Sequence, residues 1–266
     1  MSQLYKYIGF ILMLLSLNLS AQDEISEDEE TIQINIDYKI NQAQEDIESS
    51  DFFEAQKKLE EALVLAEKIG TKKSIGIIYA KLGKLQYIIE EPDAALISLF
   101  KANEIQRIIK DDVNRAETYK IIGNVYNSKQ EYRQALDYYV SANSLFDQEG
   151  LDDFVAEVLL NEGKTLLKIK DYNKANKQLE KSIALANRYE LDKIQSSAMI
   201  HNGLALAYLG KKQAGLELTL KGVQLAKEYK FNTVLTNGYL ILSDLNELNG
   251  DYQTSSDYLK KYMKLP

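Results

Sequence analysis

The sequence has no cysteine, no tryptophan, a single histidine and only two prolines in 266 residues. Without cysteine there can be no disulfide and no thiolate zinc site. The lone histidine, His201, has no second imidazole with which to build a metal site or a proton relay, so it reads as a groove or surface residue. Basic residues are in deficit, 32 against 40 acidic ones for a net charge of -8. That balance argues against a nucleic-acid partner, because phosphate contacts need a basic face. A phosphate-cradling glycine loop, a nucleophile elbow and a zinc-binding helix motif are also missing, so no catalytic residue, metal site or cofactor is expected. The scarcity of proline and glycine is what a mostly helical chain shows, and 45% hydrophobic with 27% charged residues is the composition of a soluble globular protein.

There is one long apolar run, Ile8 to Leu19, preceded by Lys6 and followed by Leu19-Ser20-Ala21. A membrane span needs roughly 20 apolar residues, so this shorter run reads as an export signal over 1–21, cleaved near Ala21. The expected location is therefore outside the cytoplasm, periplasmic or secreted, with no membrane span after signal removal. Residues 22–35 are acidic and begin QDEISEDEETIQ; they have no clear period and read as a flexible lead-in.

From Ile36 onward a 40-residue period takes over. Gly83, Gly123, Gly163 and Gly203 are spaced by 40, and the same step outward reaches Ala43 and Ser243. Twelve residues after each lie Ala55, Ala95, Ala135, Ala175, Gly215 and Ser255, all small again. This self-similarity marks a repeat array, with repeats starting near 36, 76, 116, 156, 196 and 236. Within the third repeat, Tyr119, Ile122, Gly123 and Tyr126 stand at i, i+3, i+4 and i+7, and Tyr132, Ala135, Tyr139 and Ala142 mark a second stripe. Each repeat is therefore a pair of amphipathic helices, and the fold class is all-α. Asp51, Glu131, Asp171 and Asp251 sit where the second helix should start, and Pro92 fills that place in the second repeat. Asp112, Asp152, Asp192 and Asn232 are expected caps of first helices, and Gly70 and Gly150 expected helix ends. The small pairs let the two helices of a repeat approach closely. Gly215, Thr219 and Gly222 make the fifth repeat the least regular, which predicts a locally weaker stack.

A small residue at the eighth place, another at the twentieth, a large apolar one at the twenty-fourth (Leu59, Leu99, Tyr139, Leu179, Leu259) and alanine at the twenty-seventh (Ala62, Ala102, Ala142) resemble the tetratricopeptide repeat. The resemblance covers residues 36–266. Its period of 40 rather than 34 makes it similar to the extended repeats of kinesin light chains and of bacterial peptide-sensing regulators. It implies a right-handed superhelical solenoid of about six helix-turn-helix repeats whose first helices line a concave groove for a protein or peptide partner. The groove-facing places would be occupied by Tyr87, Lys120, Asn124, Asn127, Asn161, Lys164, Lys168, His201 and Tyr208. An asparagine amide can donate to and accept from a peptide backbone, and lysine can meet a carboxylate. Lys120, Asn124 and Asn161 resemble part of a two-carboxylate clamp, whose remaining places are Ser197 and His201 here.

The reading is a non-enzymatic interaction scaffold acting after export, with an oligomeric state that the sequence leaves open. The alternative is the sensory ectodomain of a bacterial signal-transduction protein, such as a sensor kinase or helix-turn-helix regulator. It rests on the last repeat, which would need residues to about 275, and on the closing DYLKKYMKLP, which resembles the point where exported sensors of this type pass into a membrane span.

Overall fold

The computed structural model describes residues 28–264 and divides into two compact units, 1–110 and 111–266. Among the described residues there are twelve helices and no strand. The first unit holds α1 (28–48), α2 (Phe52–Ile69), α3 (Lys72–Ile88) and α4 (Pro92–Ile109). The second holds α5 (Asp112–Ser128), α6 (Tyr132–Gln148), α7 (Asp152–Lys168), α8 (Tyr172–Arg188), α9 (Asp192–Tyr208), α10 (Lys212–Glu228), α11 (Asn232–Leu248) and α12 (Tyr252–Tyr262). Odd-numbered helices are the first and even-numbered the second of each repeat. No helix among the described residues is long and apolar enough to cross a membrane. The expected export signal, 1–21, lies outside the described residues.

The helix boundaries differ from expectation in two places. α1 starts at residue 28, inside the stretch expected to be a flexible lead-in. Ile32, Ile36, Ile40 and Ala43 continue a helical stripe into it, with Ile36 and Ala43 fully buried and Ile32 packed against their cluster. The acidic run Asp28-Glu29-Glu30 falls in the first turn, where it meets the positive end of the helix dipole. First helices of the later repeats begin four residues before the repeat starts given above, so Asp112, Asp152, Asp192 and Asn232 are first helical residues and not caps. The capping position is one earlier, and only Asp111 of the four residues there fills it with a side chain that accepts the Asn114 N–H. In the second helices the expectation holds better: Asp51, Asp171 and Asp251 each accept the backbone N–H three residues on.

Beneath the 40-residue sequence period lies a 20-residue backbone period. Ser50, Gly70, Glu90, Lys110, Gln130, Gly150, Lys170, Glu190, Gly210, Lys230 and Gly250 all have positive φ, between 57 and 84°. Ten of the eleven close a helix with the same pattern, in which the residue after them donates its N–H six-to-one into the helix, as Glu131 does to Tyr126 and Asp171 to Leu166 at 2.9 Å. Successive helices are thus turned back by one repeated device, irrespective of which helix of the repeat is ending.

The core follows the small-residue rule. The small residue twelve positions on lets the two helices approach, and the residue that fills the space over each glycine lies sixteen positions on. A methyl group on Gly83, Gly123 or Gly163 would stand 2.5 Å from an atom of Leu99, Tyr139 or Leu179 respectively. These three side chains are fully buried. In the fifth repeat the corresponding residue is Thr219, and the backbones close in. A methyl on Gly203 would lie 2.5 Å from the Gly215 carbonyl oxygen, against 3.1 Å between the same group on Gly83 and the Ala95 carbonyl. Two turns along, a methyl group on Gly222 of α10 would lie 2.7 Å from the Ser196 carbonyl oxygen of α9. The expected weak point is the place where two helices pack most tightly, because glycine on both sides removes the side chains that hold backbones apart.

Candidate functional site

In the second unit the first helices α5, α7, α9 and α11 stand side by side, and α5, α7 and α9 carry eight of the nine expected groove residues. Tyr87 belongs to α3 of the first unit, where burial raises its phenol pKa. The other residues fall into two groups of different character.

Between α5 and α7 the polar side chains are tied to one another. Lys120, 6% exposed, places Nζ 2.8 Å from Glu117 and 2.7 Å from Glu157. Burial alone would push this ammonium down, but Glu157 and Glu117 outweigh it and its pKa is raised. Lys120, expected to meet a ligand carboxylate, is therefore already satisfied by two carboxylates of its own chain. Asn124 Oδ1 accepts from the Tyr139 hydroxyl at 2.8 Å and from Asn161 Nδ2 at 3.3 Å. Asn127 donates to the Thr165 hydroxyl and accepts from Lys168 Nζ. Lys168 also lies over the Tyr132 ring, 5.7 Å from its centroid. These three rungs lock α5 to α7.

From α7 to α9 and from α9 to α11 no side-chain hydrogen bond crosses among the described residues, and there the face opens into a cleft of about 650 Å³. Leu160 of α7, Ile194 of α9, Phe231 in the link before α11, and Val234 of α11 supply apolar walls. Asn161, Ser197 and Asn237 supply amides and a hydroxyl, one from each of the three helices. Lys164 is the half-buried cation of the cleft and forms no ion pair among the described residues. Burial, with the nearby charge of Lys168, lowers its pKa, and Glu157 opposes that shift. Glu190, Asp192 and Lys193 stand where the chain turns from α8 into α9, on the border of the cleft.

His201 is half-buried on α9, with Nδ1 2.7 Å from the Ser197 carbonyl. Burial, with the Lys164 cation beside it, pushes the imidazole down to about 4, so the ring is neutral at physiological pH. A neutral ring whose Nδ1 donates to a backbone carbonyl leaves Nε2 as an acceptor. Tyr208 ends α9, roughly 16 Å along the helix from Ser197 by the axial rise. It stacks on Tyr172 with centroids 4.5 Å apart, away from the cleft. Among the described residues no group of acidic or histidine side chains is placed to hold a metal ion.

The face rule for the first helices singles out Asn161 and Lys164, and the clamp resemblance names Ser197; Glu157, Leu160 and Asn237, which occupy equivalent places in the fourth and sixth repeats, are not among the expected residues. Leu191 and Phe231 lie in links between helices, and nothing in a first-helix pattern points to them.

No family model and no curated protein matches the sequence. Solved structures do match. A signal transduction ATPase with numerous domains from Pyrococcus horikoshii, which carries a tetratricopeptide repeat sensor, is 20% identical with a TM-score of 0.70 over 86% of this chain. The chain spans 35% of that protein's length. A Rap protein complexed with competence and sporulation factor is 14% identical with a TM-score of 0.68, over 86% of this chain and 74% of its own. PilF of Pseudomonas aeruginosa is 18% identical with a TM-score of 0.63, over 86% and 91%. At these identities the likeness is one of fold, and the fold is the tetratricopeptide-repeat solenoid of paired antiparallel helices.

Proposed function

We propose that the protein is a non-enzymatic scaffold that holds an extended peptide or protein segment in the cleft between α7, α9 and α11. The observation that carries this reading is the change along the first-helix face. Polar groups pair off between α5 and α7, whereas among the described residues no side-chain hydrogen bond crosses from α7 to α9 or from α9 to α11, where the cleft opens between apolar walls. An extended segment suits that combination: apolar walls take a side chain, asparagines exchange hydrogen bonds with its backbone, and Lys164 meets a carboxylate. The Rap protein solved with competence and sporulation factor supports the reading by its fold and bound factor.

A photo-crosslinking residue at Asn237, introduced in the native host, tests it. Protein or peptide adducts that disappear when Lys164→Glu is added are the expected result. Adducts that persist unchanged in that variant, or that form equally from a control position at exposed Lys177 on α8, would overturn the assignment of the cleft.

We also propose that the scaffold acts after export, in the periplasm or outside the cell, once 1–21 has been removed. Sequencing the N-terminus of the protein recovered from cells decides this: Gln22 as first residue is expected, and an intact Met1 in the cytoplasmic fraction refutes it. A second reading, the sensing part of a signal-transduction protein, draws on the sensor role named for the Pyrococcus horikoshii ATPase. A kinase or regulator module encoded in frame with, or directly beside, this chain would favour it.

A further inference from the structure

The outward face of α4 departs from the pattern of its fellow second helices. At the sixth and seventeenth residues of the helix stand Ile97 and Ile108, exposed at 61 and 54%. The equivalent exposed positions of the other full-length second helices are Lys57 and Lys68, Asp137 and Gln148, Lys177 and Arg188, and Glu217 and Glu228. Four helices thus carry charge or an amide where α4 carries isoleucine. Ile97 also borders a shallow, mostly apolar cleft of about 520 Å³ formed with Tyr79, Phe100 and Ile105. Apolar side chains concentrated on one exposed helix face mark a contact surface.

The charges within this face identify what it contacts. Lys101 and Glu104 lie between the two isoleucines on the same stripe, both exposed, with Lys101 Nζ over the Tyr79 ring 5.0 Å from its centroid. The order isoleucine, lysine, glutamate, isoleucine is self-complementary about a point between residues 102 and 103. Turning a second α4 end for end about that point sets Ile97 against the partner's Ile108 and Lys101 beside the partner's Glu104. A parallel arrangement would instead oppose lysine to lysine and glutamate to glutamate. Opposite charges across an interface fix its register and direction.

We propose that α4 is a self-association surface at which two copies of the protein pair antiparallel about a two-fold axis, in the isologous manner of symmetric dimers. The existing Glu104–Arg107 pair on the same helix, 2.8 Å and exposed at both partners, does not oppose this. Exposed pairs of this kind contribute little, so Glu104 is free to take a second cation. One helix pair buries less than the roughly 1,200 Å² of a standard stable interface, so association in the micromolar range is expected.

Sedimentation equilibrium of the purified full chain tests the proposal. A monomer–dimer equilibrium is expected, shifted at least tenfold toward monomer by Ile97→Lys with Ile108→Arg, residues that equivalent positions of α8 already carry. Lys101→Glu should weaken the dimer and adding Glu104→Lys should restore it. Because the chain has no cysteine, direction can be read by oxidation: Ile97→Cys mixed with Ile108→Cys should give the mixed disulfide in preference to either like pair. A monomer at all concentrations, a dimer indifferent to these substitutions, or preferential 97–97 crosslinking would overturn it.

Discussion

The hydroxyl of Tyr139, a fully buried side chain, donates to Asn124 Oδ1 at 2.8 Å. Leucine stands at the equivalent place of the first, second and fourth repeats, over the same small position. A tyrosine there brings a polar atom into the core, and Asn124 on the facing helix of the same repeat satisfies it. The asparagine is therefore part of the packing of the third repeat. Asn124→Ala is expected to destabilise the protein by about 1–3 kcal/mol, the cost of a buried polar group left without a partner. In a Tyr139→Phe background the same substitution should cost much less. Urea denaturation of the four proteins in a double-mutant cycle measures the coupling; additive effects would show that the pair does not act together.

The repeat was legible because small residues recur at fixed places where helices touch, and few residue types fit those places. Gly83, Gly123 and Gly163 each face a buried large side chain for that reason. The 20-residue turn period was not legible, because only four of its eleven positive-φ positions are glycine. The helix ends are imposed by the packing of neighbouring helices, which overrides the local preference of Lys170 or Glu190. The candidate site was half legible for a similar reason. A face rule finds which residues point the same way but not which are consumed by one another. Lys120 and Lys164 are both assigned to the groove by the face rule, yet one is held between two glutamates while the other stands in the cleft without an ion pair among the described residues.

Glycine at 203 should be far less replaceable than glycine at 163. A methyl group at either position collides, but at Gly163 the obstacle is the Leu179 side chain, which can shift its rotamer. At Gly203 the methyl group meets the Thr219 hydroxyl and also the Gly215 carbonyl oxygen, 2.5 Å away, and the carbonyl moves only if α9 and α10 separate. Gly203→Ala is expected to destabilise by about 2–4 kcal/mol and Gly163→Ala by about 1–2, in the range for overpacking a tight core. Thermal unfolding of the two variants compares them, and equal losses would refute the backbone-contact explanation.

His201 should make the fold acid-sensitive. Its folded pKa, about 4, lies below the 6.5 of a free imidazole, so the unfolded chain takes up this proton first as pH falls. Stability is fully present above pH 6.5 and is lost as pH drops from there through 4. A shift of this size corresponds to at most about 3 kcal/mol, reduced by the partial exposure of the ring. His201→Gln, which keeps a side-chain donor for the Ser197 carbonyl, should remove most of the difference in stability between pH 7 and pH 4.5. Urea titrations at the two pH values test this, and an unchanged pH dependence in the variant would assign the acid sensitivity elsewhere.

The turn between α7 and α8 offers the reverse case, a place where the natural residue is not the best one. Lys170 has φ of 63°, a left-handed conformation in which the side chain of an L-residue crowds the backbone, at a cost of about 1 kcal/mol relative to glycine. Its side chain is exposed and its backbone N–H donates to Leu167 at 3.0 Å, a bond that glycine keeps. Gly150, φ 69°, fills the turn one helix earlier. Lys170→Gly should therefore raise stability by about 0.5–1 kcal/mol, and Gly150→Ala should lower it by a similar amount, even though a methyl group there would meet no atom within 4 Å. Gly150→Ala is the more telling of the two in denaturant titrations. A loss there comes from backbone conformation alone, whereas no loss would mean that these turns relax out of the left-handed region when glycine is removed.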